Sequence, residues 1–188
     1  MAGSAGMHNK ELLAGCHKED AQSQRILYDR FKARLMGLCR RYTKDREEAK
    51  DVLQESFIKI FRGINQVTDA GKLESWMKSV AVNTAIDHYR RKKLILTSEI
   101  DDSKIEVFQQ SPDVHVSDEL LVAFVNQLPD GCRVVFNLFV VEGYGHAEIS
   151  AMLQITEGTS RSQLNYARTI LKNKLKCHNV AQYYEKFA

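Results

Sequence analysis

EISAMLQITEGTSRSQLNYAR, residues 148–168, reads as two short helices around a tight turn, and its reading decides the fold. Ile149, Leu153 and Ile155 supply apolar positions for packing the first helix and the turn. Thr156 is placed to cap the second helix, because its hydroxyl can accept from backbone N–H groups left unpaired in the first turn. From Ser160 onward, helical spacing puts Leu164, Ala167 and Leu171 on one face. Gly158, Ser162, Asn165 and Thr169 fall roughly opposite, flanked by Arg161 and Tyr166. That outer face offers hydrogen-bonding groups and positive charge without a carboxylate, which suits a helix lying in the major groove of DNA. An ordinary helical hairpin with a solvated outer face shares the pattern, so the remainder of the chain has to decide between them.

The 188 residues are enough for one domain or two small ones. A hydrophobic content of 44% supports real cores, and only 2 prolines among long helically periodic segments favour an all-helical protein. The net charge of +3 is too small to argue for a polyanionic partner, so the distribution of charge matters more than its sum. Cys16, Cys39, Cys132 and Cys177 lie far apart without a CxxC, which fits reduced thiols in a cytoplasmic protein rather than a zinc site. No run approaches the roughly 18 apolar residues of a membrane span, and no secretory signal is present, so no direct membrane insertion is expected. Residues 2–6 look like a cloning scar with Met7 as the native start, and residues 1–10 are set aside as a disordered N-terminus.

Residues 11–93 read as a run of helices forming a first domain. Between Arg25 and Arg46 eight cations stand against Asp29 and Asp45 alone, interleaved with Ile26, Leu27, Phe31, Leu35, Leu38 and Tyr42. In the next helix, residues 46–62, Ala49, Val52, Leu53, Ser56, Phe57 and Ile60 cluster on the core side. Asp51, Gln54, Glu55 and Ile58 lie on the other. An isoleucine amid acidic and amide groups on an outward face points to a protein-binding surface, although single exposed isoleucines also occur on monomers. Residues 63–72 break the periodicity and are expected as a loop, and helix resumes from Ser75 to Lys93. There Trp76, Val80, Asn83, Asp87 and Arg90 share approximately one stripe, and the basic run from Arg90 to Lys93 suits a helix C-terminus.

Residues 94–116 change character. Seven acidic residues from Glu99 to Glu119 face only Lys104 as a cation, which reads as a flexible acidic linker. Helices resume in a second domain, residues 117–188. Leu120, Leu121, Phe124, Val125 and Leu128 form one apolar face, Pro129 opens the next helix, and Val134 to Val140 is the most hydrophobic segment, expected as a central helix ending at Gly143. From Arg161 to Lys176 there is no acid, so positive charge collects on the candidate reading helix. The fold class is therefore all-α: two small helical domains joined by a flexible acidic linker, the second containing a helix-turn-helix.

Leu128-Pro129, Arg133 to Phe136, Glu142-Gly143, Glu148-Ile149, Glu157-Gly158-Thr159 and Ala167-Arg168 together resemble the C-terminal domain of bacterial sigma factors of the extracytoplasmic-function (ECF) class. Asp51 to Phe57 and Trp76 to Asp87 independently resemble that family's second conserved region. The resemblance implies a cytoplasmic initiation factor that binds core RNA polymerase and promoter DNA, with an anti-sigma factor as a further partner. Asp51, Gln54, Glu55 and Ile58 would then bind the clamp helices of the beta-prime subunit. The loop before Trp76, with Phe61, Trp76, Lys78, Asn83, Asp87, Arg90 and Arg91, would capture a flipped base of the minus-ten element, an extrusion costing a few kcal/mol. Arg161, Ser162, Gln163, Asn165 and Tyr166 would read the minus-thirty-five duplex, with Arg168 and Lys172 on phosphates, which position without specifying. Gln154 stands where the family usually has Gly, Ser160 where Val is common, Gln163 where Arg is frequent and Leu73 where Phe often precedes the tryptophan. These departures imply an altered turn, weaker packing at Ser160 and a changed base preference.

A helix-turn-helix regulator that is not a polymerase subunit would explain residues 148–168 but not the Asp51 to Ile58 face. An enzyme is disfavoured, because the six histidines have no ligand spacing and neither a Gly-rich phosphate loop nor a nucleophile motif appears. No metal and no cofactor are expected.

Overall fold

The computed structural model describes residues 8–96 and 118–177, and all regular structure among them is helical. The first seven residues, residues 97–117 and those beyond 177 lie outside the described residues, and with them most of the acidic linker expected over 94–116, whose positions 94–96 are helical. The chain divides into two compact units, Met1–Tyr89 and Arg90–Ala188.

The first unit is built from α1 (Asn9–His17), α2 (Ala21–Tyr42), α3 (Arg46–Gly63) and α4 (Leu73–Leu96), the last of which runs on past the division at Tyr89. Each boundary has a local cause. The Asp20 carboxylate accepts from the Ser23 backbone N–H at 2.7 Å and starts α2, and Asp45 accepts from the N–H groups of Glu47 and Glu48, both at 2.9 Å, and starts α3. The six residues assigned to the core side of α3 are all buried. α3 packs against α2, and Leu27, Phe31, Leu35 and Leu38 of α2, Met77, Ala81, Val82 and Ala85 of α4, and Leu12, Leu13 and Cys16 of α1 are buried as well.

Residues 63–72 are not the open loop that the broken periodicity suggested. α3 continues through Gly63, and two single 3-10 turns, Ile64–Gln66 and Ala70–Lys72, fill the gap before α4 begins at Leu73 rather than Ser75. Side-chain chemistry stabilises the second turn, since the Asp69 carboxylate accepts from the Gly71 N–H at 2.8 Å. Leu73 is fully buried as the first residue of α4.

The second unit contains α5 (Asp118–Asn126), α6 (Asp130–Phe136), α7 (His146–Leu153) and α8 (Glu157–Cys177), with α5, α6 and α7 each packed against α8. Pro129 takes the N-cap position of α6, one residue outside the helix. The expected central α-helix does not run on to Gly143. It gives way at Asn137 to a π-helical segment, Asn137–Val141, where the Glu142 N–H reaches back five residues to the Asn137 carbonyl at 3.0 Å. The wider turn changes the helical phase, so Val140 and Val141 end up 44% and 46% exposed instead of in the core. Gly143, at φ +82°, then takes the chain out of the segment.

Arg133 is a buried cation in this unit. Its guanidinium donates to the Asn126 and Leu128 carbonyls at 3.3 and 3.4 Å and to Asp130 Oδ1 at 2.8 Å. A positive charge is thus held at the C-terminal end of α5, where carbonyls lack helical partners.

Candidate nucleic-acid and protein interfaces

The α8 helix has the two faces that its spacing predicts. Thr156 Oγ1 accepts from the Thr159 N–H at 3.0 Å, which places the cap as expected. Ser160, Leu164, Ala167, Leu171 and Leu175 are buried. Arg161, Ser162, Asn165, Tyr166, Arg168 and Lys172 are exposed, while Gln163 is half-buried between the two sets. The outer face is not free of carboxylates, however. Glu157 opens α8 and its Oε2 accepts from the Arg161 guanidinium at 2.6 Å, because residues four apart on a helix are neighbours.

The turn before α8 is closed by backbone geometry rather than by composition. Gln154 caps α7 at φ 54°, ψ 48°, the left-handed conformation, and its successor's N–H donates to the Ser150 carbonyl at 3.1 Å. The turn expected to differ for want of glycine therefore keeps a glycine-type backbone, with glutamine carrying the strain. Ser160 likewise departs from its expectation. It is fully buried, and its hydroxyl lies 2.8 Å from His146 Nδ1 on α7, so a polar link replaces apolar packing between the two helices. The His146 ring stacks on Phe139 at 4.6 Å between centroids, and the Arg168 guanidinium lies 6.0 Å from the centre of the same phenyl ring. Phe139 and His146 were not singled out in the sequence. The serine on an inward stripe was the available signal, since a buried hydroxyl requires a partner.

In the first unit, α3 presents Asp51 and Gln54 as exposed, Glu55 as half-buried and Ile58 as 50% exposed. Ile58 is thus an exposed apolar side chain amid polar neighbours, on a helix whose opposite side is buried. Phe61 is half-buried against Phe57, with ring centroids 5.9 Å apart. The Trp76 ring lies over the end of α3, where a Cβ on Gly63 would sit 3.2 Å from it. Glycine is therefore what lets the tryptophan approach the first 3-10 turn.

On α4, Trp76, Asn83 and Arg90 recur every seven residues and share one line along the helix, with Asn83 exposed and the other two half-buried. Lys78 lies on a different side. Its ammonium pairs with Glu74 at 3.2 Å, and Glu74 also takes the Arg34 guanidinium at 2.6 Å. The hydrogen bond from Lys78, followed by that from Arg34, holds the Glu74 carboxyl below its ordinary range despite some desolvation. Arg91 is exposed beside Arg90. Asp87 meets a residue that sequence reasoning overlooked: Lys59 Nζ stands 3.2 Å from Asp87 and 3.3 Å from Glu55. The lysine thereby bridges the outward acidic group of α3 to the α4 stripe.

Comparisons with known proteins cover both units. Residues 27–95 match sigma-70 region 2, and residues 118–171 match sigma-70, region 4. The chain is 32% identical over 133 residues to the ECF RNA polymerase sigma factor SigM of Bacillus subtilis, covering 69% of this chain and 81% of that protein. It is 26% identical over 180 residues to the RNA polymerase sigma-H factor of Pseudomonas aeruginosa, covering 89% and 93% of the two chains. It is 25% identical over 185 residues to the ECF RNA polymerase sigma-E factor of Escherichia coli, covering 92% and 96%.

Proposed function

The chain belongs to the ECF class of sigma-70 factors, and from that membership we propose how its surfaces divide the work of a promoter-recognising subunit of RNA polymerase. As a member, it binds core polymerase and recognises promoters. The family is one of transcription initiation factors rather than catalysts, and it works in the cytoplasm, where the polymerase is. Among the described residues no helix is long and apolar enough to cross a membrane.

The α3 face of Asp51, Gln54, Glu55 and Ile58 docks on the clamp helices of the beta-prime subunit. The observation that carries this assignment is the half-exposed Ile58 between polar neighbours, since an apolar centre with a polar rim is what a helix-on-helix interface requires. A regulator acting without polymerase would leave that face without a use. The segment between α3 and α4, with Phe61, Trp76, Lys78, Asn83, Asp87, Arg90 and Arg91, engages the minus-ten element and its flipped base. Arg161, Ser162, Gln163, Asn165 and Tyr166 read base edges of the minus-thirty-five duplex, and Arg168 and Lys172 contact phosphates. The corresponding division is a region-two-like domain over residues 11–93, a linker over 94–116 and a region-four-like domain over 117–188. An anti-sigma factor, as the resemblance implies, is a further partner.

Replacing Ile58 by Glu tests the docking face. Capture of core polymerase by the variant should fall about tenfold or more, as for a residue at the centre of an interface, while its unfolding temperature stays that of the parent. Undiminished capture would remove Ile58 from the interface.

A further inference from the structure

The Ile64 carbonyl is shared by two donors. It closes the first 3-10 turn by accepting from the Val67 N–H at 3.0 Å, and it lies 3.1 Å from Nε2 of His17, forty-seven residues earlier in the chain. A carbonyl oxygen can only accept, so this ring nitrogen carries the proton. Ile64 and Val67 are themselves buried. The last residue of α1 therefore pins the carbonyl that sets the shape of the turn.

The α1 helix is firmly placed to do so. Leu12, Leu13 and Cys16 are buried in the core, the Asn9 side chain accepts from Arg30 of α2 at 3.0 Å, and α1 packs against both 3-10 turns. On the other side of Ile64 stands Gly63, directly beneath the Trp76 ring. A continuous path thus runs from His17 through the Ile64 peptide to the tryptophan, and a displaced Ile64 would move the glycine against which that ring rests.

We propose that His17 is a positioning residue for base capture, fixing the segment between α3 and α4 through its hydrogen bond to the Ile64 carbonyl. The proposal rests on the assignment of that segment to the minus-ten element. His17 touches no nucleotide in this scheme and acts only through the turn. It is also a histidine that motif reasoning discarded, because its partner is a backbone atom far away in sequence.

The test uses holoenzyme assembled from core polymerase and the full chain bearing His17→Leu or His17→Gln. The probes are a single-stranded minus-ten oligonucleotide from a promoter selected by the parent holoenzyme, and copies lacking one base at each position in turn. With the parent, removal of the captured base weakens binding, and the ratio of the two affinities measures capture. With His17→Leu this ratio falls about five- to tenfold, the share of one part-buried hydrogen bond, while core-polymerase binding and duplex minus-thirty-five binding hold. His17→Gln, whose amide keeps an N–H donor, recovers most of the ratio. An unchanged ratio in His17→Leu overturns the proposal, as does an equal loss of all three activities, which is the mark of mere unfolding. Amide exchange at Val67, whose N–H shares the carbonyl, separates this proposal from the assignment beneath it. Faster exchange in His17→Leu and not in His17→Gln shows that the histidine orders the turn even where the parent itself proves indifferent to any missing base. Unaltered exchange overturns the positioning role outright.

Discussion

Gln154 is the place where this chain departs from its local preferences at a calculable cost. A residue with a Cβ at φ 54°, ψ 48° pays about 1–2 kcal/mol for the left-handed conformation. Glycine avoids that strain but loses about 0.5–1 kcal/mol more backbone entropy on folding. The difference leaves Gln154→Gly more stable by about 0.5–1 kcal/mol. The Gln154 side chain is exposed, so no packing is given up to offset the gain. At about 4–8 °C per kcal/mol for a domain of this size, the melting temperature of the second unit should rise by roughly 2–8 °C. Because the two units need not unfold together, the assay should follow the second unit alone, by hydrogen exchange of α7 and α8 amides as a function of temperature. Gln154→Ala is the control: it keeps the Cβ, and hence the strain, and should leave stability almost unchanged. If alanine stabilises as much as glycine, the glutamine side chain rather than the backbone carries the cost and the reasoning fails. If Gly lowers the melting temperature, the left-handed cap is not strained at all.

Replacing Arg133 by Met should destabilise the second unit by about 2–3 kcal/mol, since it deprives the buried Leu128 carbonyl and the part-buried Asn126 carbonyl of their donor; urea unfolding followed in that unit measures it. Glu157→Gln removes the carboxylate that holds Arg161, and duplex promoter fragments should bind a few-fold tighter at low salt with a steeper salt dependence; an unchanged salt slope would mean that Arg161 does not reach DNA. Acid should weaken the first unit in particular. Hydrogen bonds from Ser23, Lys32 and Lys78 hold the carboxyls of Asp20, Asp29 and Glu74 below their ordinary values. A carboxyl depressed on folding stabilises the fold above its unfolded pKa and loses that contribution as pH falls through the lower folded value. The urea midpoint should therefore drop below about pH 4, the ordinary carboxylate range, and do so less in an Asp20→Asn variant.

The faces of α3 and α8 were legible in the sequence because each helix has one buried side. Period then identifies the outward residues, and Thr156 announces the start of α8 through its own chemistry. Phase is lost where that asymmetry fails. From Val134 to Val141 seven of the eight residues are apolar, so an inserted residue changes no visible pattern, and the π segment stayed hidden. Residues 63–72 carry no helical period because their turns are closed locally, by Asp69 and by the Ile64 carbonyl. The contacts His17 to Ile64 and His146 to Ser160 join positions 47 and 14 residues apart, and no local rule reaches that far. Lys59 was missed for a simpler reason: a lysine on an exposed helix flank is ordinary until the fold brings a second acid to it.

That lysine exemplifies how the candidate DNA surfaces handle charge. Lys78 is engaged by Glu74, Arg161 by Glu157, and Asp87 by Lys59, each pair on or beside a surface assigned to promoter DNA. A cation already paired within the chain gains less from a phosphate than a free one, because one ion pair is exchanged for another. The exchange is cheap, since all three pairs are solvent-accessible, yet it removes the long-range attraction that an unpaired basic patch exerts on any nucleic acid. The chain's small net charge of +3 has the same effect. Indiscriminate binding is thereby suppressed more than specific binding, because base-edge contacts and base capture depend on geometry that pairing leaves intact. The outward face of α3 completes this logic. If Ile58 docks on polymerase as proposed, polymerase supplies the grip that the paired cations give up, and the ion pairs and the exposed isoleucine then serve one end.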